Sequence, residues 1–345
     1  MLHNLSPWQA SLTENWQQNK QKCLTLVVKQ SFEFDDNGQV FLMETGDDIV
    51  MADEMLADPI KSSLKNTNET AAFKAGFELY GNLTAYPPKG KQAKVIEVNV
   101  TLKQQESIVF SKTLRVTGER IWQSSLLGNT TSSPQPLAAT PLNYENTYGG
   151  IDAQNSKKIY EENPAGKGFR VKQTKGSALP CVEYPHKFLK HPKKTIPPAS
   201  YGAIPSFWQP RLALIPNIDE ELLMAGEYPY KGTLPSNCFN CAPKDQQVNI
   251  TFDQSCTLCF KGVSPNKAYQ HITELTLPYQ PPEVVLIKDE QQKFIELTCD
   301  TLVLDADANA FHLLWRTSVA KSEVNEYSQW IVQQNKAVQQ QGETS

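Results

Sequence analysis

Residues 23–34 read CLTLVVKQSFEF, and Leu24, Leu26, Val28, Phe32 and Phe34 all fall on one parity. A period of two is what a strand shows when one of its faces is buried. The turn-like DDNG at 35–38 follows, where Asn37 and Gly38 can supply the backbone of a tight turn. VFLM at 40–43 then offers a returning strand, so this stretch predicts a β-hairpin.

The pattern recurs further along the chain. Ile96, Val98, Val100 and Leu102 alternate with Glu97, Asn99 and Thr101, and SIVFSKTLRVT at 107–117 predicts an antiparallel partner. More strands are expected near 271–277, 284–289, 293–304 and 309–316, with a short helix at 216–228. KSEVNEYSQWIVQQNKAVQQQ, from residue 321, reads as a polar helix. Between 129 and 245, prolines such as Pro134, Pro141, Pro164, Pro180, Pro197, Pro198, Pro205 and Pro210 disfavour long helices. Tyr144, Tyr148, Phe169, Tyr201, Phe207 and Trp208 in the same interval supply surface that can anchor ordered loops to a core. The expected fold is mainly β, with antiparallel sheets in two associated β-rich lobes, extensive ordered loops and minor helix. The expected division is 1–140 for the first lobe, 141–320 for the second, and 321–345 for a peripheral polar helix or tail.

The chain has 345 residues, which suffices for two packed units. Its 33 basic and 37 acidic residues give a formal charge of -4, and that balance makes no case for nucleic acid or an anionic membrane surface. Seven cysteines are too few for a disulfide scaffold of this length, and their odd number fits a reducing compartment. Residues 1–30 show neither a basic-then-apolar leader nor a membrane span. A soluble, cytoplasmic protein without membrane insertion is the expectation.

The most specific chemical spacing is Cys238-x2-Cys241 followed by Cys256-x2-Cys259, because two thiolate pairs can furnish a tetrahedral zinc site. The competing explanation is four small buried side chains. Neither CxxC lies in a thioredoxin-like strand-to-helix context. Asp245, and Glu119 with Arg120 in GERIW, are polar centres suited to organising loops through charge-assisted hydrogen bonds. His186 and His191 are spaced as loop residues, and the chain has no HExxH. NTYGG and NPAGKGF lack a phosphate-loop pattern and read as turns or close backbone approaches. No GxSxG elbow or cysteine-histidine protease constellation is present. Trp208 and Arg211, in SFWQPR, suit a loop anchor or a partner contact.

A series of motifs in fixed order carries a resemblance. LVVKQSFEF at 26–34, VTGERIW at 116–122, PLNYENTYGG at 141–150 and NPAGKGF at 163–169 lead the series. PPASYGAIPSFWQPR at 197–211, FNCAPKDQQ at 239–247 and CDTLVLDADANAFHLLWR at 299–316 complete it. In this order the chain resembles the large accessory or adaptor family associated with bacterial type VI secretion, long named only as a domain of unknown function. The resemblance implies a non-enzymatic, cytoplasmic chaperone or adaptor that binds a secretion effector, or a region associated with a VgrG-type spike protein, and assists its loading. On this resemblance Tyr148 holds the aromatic position before the paired glycines. Trp208 and Arg211 keep the W-x-x-R element, and Asp245 and Gln246 keep the APxDQ-like element. Each is implied as partner-binding or loop-organising. Cys241 stands where the family pattern has alanine, and Cys256 and Cys259 interrupt the strand-like region that follows. These departures favour no cofactor over a structural zinc. The alternative is a zinc-stabilised structural or enzymatic protein built on Cys238, Cys241, Cys256 and Cys259.

Overall fold

The computed structural model describes residues 1–126, 128–152, 155–169 and 175–334. Its strands in chain order begin with β1 (Leu2–Asn4), β2 (Gln9–Trp16), β3 (Lys22–Phe34), β4 (Val40–Leu42), β5 (Phe77–Tyr80), β6 (Val95–Gln104) and β7 (Ser107–Thr117). They continue with β8 (Val182–Glu183), β9 (Gln247–Val248), β10 (Cys256–Lys261), β11 (Ile272–Leu277), β12 (Glu283–Lys288), β13 (Gln291–Ile295), β14 (Thr298–Asp305), β15 (Ala310–Ala320) and β16 (Gln329–Gln333). Several two-stranded pairings of short segments complete the set.

Three sheets dominate. The largest runs β9-β5-β14-β15-β3-β2, with β4 paired to β3. A second runs β8-β7-β6-β10-β11, and a third runs β1-β16-β12-β13. Pairing within them is antiparallel except for β5 with β14 and β1 with β16. The mainly β, antiparallel architecture expected from the alternation is therefore the architecture observed.

The opening stretch is its centre. Strand β3 pairs with β15 from Ala310↔Glu33 to Ala320↔Cys23, and Leu26, Val28 and Phe32 on its inward parity are buried. The predicted hairpin closes with Phe34 opposite Val40. Asp35 Oδ1 accepts from the Asn37 and Gln39 amides at 2.8 and 2.9 Å, which fixes the turn. Gly38 is required there twice over. Its φ is +83°, and a Cβ would meet the Glu274 carbonyl oxygen at 2.4 Å, so any side chain would push the turn off β11.

One apolar core joins the three sheets: Phe32 of β3, Val100 of β6, Leu258 of β10, Leu286 of β12, Trp315 of β15 and Trp330 of β16 all belong to it. Phe34 tilts onto Phe260 at 5.9 Å, and Phe77 stacks on Phe252 at 5.7 Å. Burial of contiguous apolar surface on this scale is the main force holding such a fold together.

Several expectations need correction. Residue 140 does not separate the sheets, because the long register of β3 with β15, and of β6 with β10, crosses it. The stretch 293–304 is two strands with a break between Ile295 and Thr298. The helix expected at 216–228 shrinks to Glu220–Met224, capped by Asp219, whose Oδ1 accepts from the Glu221 and Leu222 amides. It stops before Gly226, which takes φ +71°. Residues 321–334 do not form the polar helix: a 3-10 turn at Lys321–Glu323 leads to β16, which fills the gap between β1 and β12. Trp330 and Val332 share one parity and are buried, so the core takes this segment as a strand. The rest of that expected helix, from 335 onward, lies outside the described residues.

Among the described residues of the loop-rich interval, Tyr144, Tyr148, Tyr201 and Trp208 are buried and Phe169 is half-buried, whereas Phe207 is exposed. Among the described residues no helix is long and apolar enough to cross a membrane.

Polar groups are built into the sheet as well as the loops. His312 of β15 lies opposite Ser31 of β3, with Nδ1 3.0 Å from Ser31 Oγ and Nε2 3.4 Å from Asp47. Burial, reinforced by repulsion from Lys29 and opposed by Asp47, depresses its pKa from 6.5 to about 4. A depressed histidine keeps its stabilising contribution above the unfolded value and loses it as pH falls toward the folded one. Wild type should therefore lose about 2 kcal/mol more than His312→Gln between pH 7 and pH 5, by linkage. Urea denaturation at the two pH values checks this, and parallel losses in both proteins would refute it.

Candidate functional site

The loop FNCAPKDQQ is fixed from below by one carboxylate. Glu78 of β5 is fully buried and accepts from the Cys241 and Ala242 amides at 3.0 Å each and from Asn240 Nδ2 at 3.2 Å. Lys74 forms a buried ion pair with it, and the Cys241 thiol donates to it at 3.2 Å. A buried charge met by a counter-ion and several donors is the arrangement that makes such burial tolerable.

The loop then turns through Lys244–Gln246. Gln246 is buried and ties three segments together: its Nε2 donates to Leu79 O at 2.7 Å and Tyr201 O at 3.0 Å, while Oε1 accepts from Lys112 at 2.6 Å. Lys112 occupies the buried parity of β7, between Phe110 and Leu114. Its Nζ also donates to Ser200 O at 2.8 Å and to Asp245 Oδ1 at 3.0 Å. Tyr184 donates to the other Asp245 oxygen at 2.8 Å. Burial lowers the Lys112 pKa to about 8, with Asp245 acting in the opposite direction. Perturbed groups of this kind gather at functional sites and in structural charge networks alike, so the surroundings decide the reading.

Those surroundings are a cleft of about 620 Å³. Tyr144, Tyr184, Pro185, Pro197, Pro198, Ile204, Pro210 and Pro243 supply its apolar lining, and Glu162, His186, Lys187, Lys244 and Asp245 its charged or titratable one. Proline rings and hydrogen-bonded tyrosines give the walls little freedom to lose on binding. Trp208 backs one wall, with its ring edge-on to Tyr144 at 5.6 Å. Arg211 donates to the Ile204 carbonyl and lies 3.9 Å from Asp53, which holds the turn that carries Pro210.

The expected site residues therefore separate into groups. Asp245 lines the cleft, Gln246 sits beneath it, and Trp208 and Arg211 brace its wall. Tyr148 lies in a separate cluster with Trp122, Leu179, Leu189 and Ile196. The glycines after it permit close backbone contact, since a Cβ on Gly149 would stand 2.2 Å from Asn163 O. Asn163 Nδ2 in turn donates to Tyr144 O, Thr147 Oγ1 and Tyr148 O at 2.8–3.0 Å. Arg120 of GERIW is a buried brace, donating to Glu183 and to Pro180 O at 2.7 Å each.

The four cysteines do not converge. Cys238 and Cys241 lie in the loop beside Glu78, whereas Cys256 and Cys259 lie on β10. Residues three apart on a strand point to opposite faces. Cys256 accordingly joins the core, while Cys259 approaches Glu274 at 3.6 Å. Burial pushes the thiols of Cys238 and Cys241 up to about 12 and that of Cys256 to about 11, and it raises Cys259 as well. Among the described residues no group of three or more histidine, cysteine or acidic side chains is placed to hold a metal ion.

Sequence reasoning missed Glu78, Lys112 and Tyr184. For Lys112 a signal existed, namely a charge on the inward parity of an alternating strand. For Glu78 the only local sign was Lys74 four residues earlier, because the amide donors that hold it come from a loop more than a hundred and sixty residues away.

No curated protein and no solved structure matches the chain. The family model described as an uncharacterized protein conserved in bacteria (DUF2169) does match, over residues 19–316, and the chain belongs to that family.

Proposed function

We propose that this protein is a cytoplasmic, non-enzymatic adaptor of type VI secretion that binds an effector, or a spike-associated region of one, before export. The observation that carries partner recognition is the rigid, proline- and tyrosine-lined cleft, with its floor fixed by Lys112, Asp245 and Gln246. Preformed concave apolar surface with a few oriented polar groups is the usual form of a binding site. The secretion context rests on the ordered motifs, several of which build this cleft: 197–211 forms its walls and 239–247 its floor. In this reading Lys112 and Asp245 hold the loop geometry, and the partner meets the apolar walls.

The test is co-expression with the secretion-system effectors and spike proteins of the same bacterium, followed by quantitative pull-down and native mass spectrometry. One selective complex is expected. Pro198→Trp, which fills the cleft, should lower its recovery at least about tenfold, equivalent to about 1.4 kcal/mol. Recovery of no complex across the full set would sink the proposal.

A further inference from the structure

We infer that the segment bound in the cleft is an extended peptide with an apolar, proline- or aliphatic-rich centre and acidic flanks. This rests on the adaptor reading and specifies the chemistry of the partner at the same site. The charges left unpaired at the rim point to this chemistry. Of the two carboxylates of the lining, Asp245 is paired with Lys112 and accepts from Tyr184, while Glu162 accepts from the Tyr160 hydroxyl at 3.1 Å, keeps its charge and is outnumbered by the two lysines of the lining, Lys187 and Lys244. The ammonium groups of Lys187 and Lys244 also line the cleft, are exposed, and form no ion pair among the described residues.

The segment that carries Lys187 is itself basic. PHKFLKHPKK at 185–194 carries Lys187, Lys190, Lys193 and Lys194 and no carboxylate, in a protein whose formal net charge is -4. All four lysines are exposed. A positive rim beside apolar walls selects a partner of the opposite arrangement, because like charges at the rim are repelled and unlike charges speed the encounter. The walls favour an extended backbone. Surfaces that pair tyrosine with fixed apolar walls accept polyproline-type segments, which are already extended and lose little entropy on docking. A compact anion would leave the apolar walls uncovered.

The experiment uses fluorescence anisotropy with the full-length protein and a labelled peptide whose Pro-Leu-Pro-Leu centre is flanked by glutamates. This peptide should bind at least about tenfold more tightly than one flanked by lysines, and than one with a Gly-Ser centre. The double variant Lys187→Glu/Lys244→Glu should lose about tenfold for the acidic peptide and gain affinity for the lysine-flanked one. Both substitutions are at exposed positions, and the gain excludes simple misfolding. Equal binding of the two flanks, no binding at about millimolar peptide, or indifference of the double variant would overturn the inference. A single-stranded DNA oligonucleotide that competes whatever the peptide centre would also overturn it, by making the rim a polyanion site. If the double variant still recovers the native effector complex undiminished, the inference fails while the adaptor reading stands. If wild type recovers no complex, the adaptor reading fails whatever the peptide does.

Discussion

Glu78→Gln is expected to destabilise the protein by about 3–5 kcal/mol, the cost of breaking a buried ion pair and leaving its partner charged. Lys74 and Glu78 have side chains 1% and 0% exposed, so neither charge can turn to water once the other is gone. Lys74 would keep Thr301 Oγ1 at 3.0 Å, the Cys241 sulfur at 4.0 Å and the Tyr80 ring at 5.9 Å, but no directly paired carboxylate. The glutamine amide group would also face the Cys241 and Ala242 amides, replacing an acceptor with a donor. Burial by itself raises the Glu78 pKa, but Lys74 and the loop donors outweigh it and the net shift is downward. The ionised form is thus the stabilising one, and its contribution is lost as pH falls through the folded pKa. Urea denaturation should show a lower midpoint at unchanged slope. Adding Lys74→Met should recover a large part of the loss, because the uncompensated charge is then gone. A single-variant loss below about 1 kcal/mol would show that the loop carrying Asp245 and Gln246 does not depend on this carboxylate.

The contrast between Glu78 and β3 shows what the sequence could and could not convey. Alternation reports burial of one strand face, and it identified β3, the 35–38 turn and the β6–β7 pair because each depends on neighbours close in sequence. Pairing of β3 with β15 joins segments nearly three hundred residues apart, and no local pattern encodes it. The shift in proline content near 140 marks a change from strand to loop, whereas strand pairing runs across it. At the candidate site, Asp245 and Gln246 were legible as motif residues, but their roles were not. Asp245 faces the cleft, whereas Gln246 is consumed in holding Leu79, Tyr201 and Lys112 together. The CxxC pairs misled in the opposite direction. Their spacing is that of a metal site, but an extended backbone at 256–261 sends the two sulfurs apart.

Trp330→Ala is expected to cost about 3–5 kcal/mol, the range for truncating a fully buried tryptophan. The indole is 0% exposed and belongs to the main core, with β1 on one side, where Leu2 lies opposite it, and β12 on the other, where Leu286 does. Truncation would open a cavity bounded on both sides by hydrogen-bonded strands, which limits how far the surroundings can collapse. Tyr327, three residues earlier, is 79% exposed, so Tyr327→Ala should change stability by less than about 0.5 kcal/mol. The comparison discriminates between the two readings of this segment. On a peripheral polar helix, residues 327 and 330 would share a face and their substitutions would cost similar, small amounts. In a strand, Trp330 and Val332 alternate inward while Gln329, Ile331 and Gln333 are less buried, and this is the pattern observed. Contiguous Trp-Ile-Val between amide-rich flanks carries no period long enough to choose between the two from sequence. Equal, small losses for Trp330→Ala and Tyr327→Ala in urea denaturation would restore the helix, whereas the expected gap of several kcal/mol requires that the core be closed by β16.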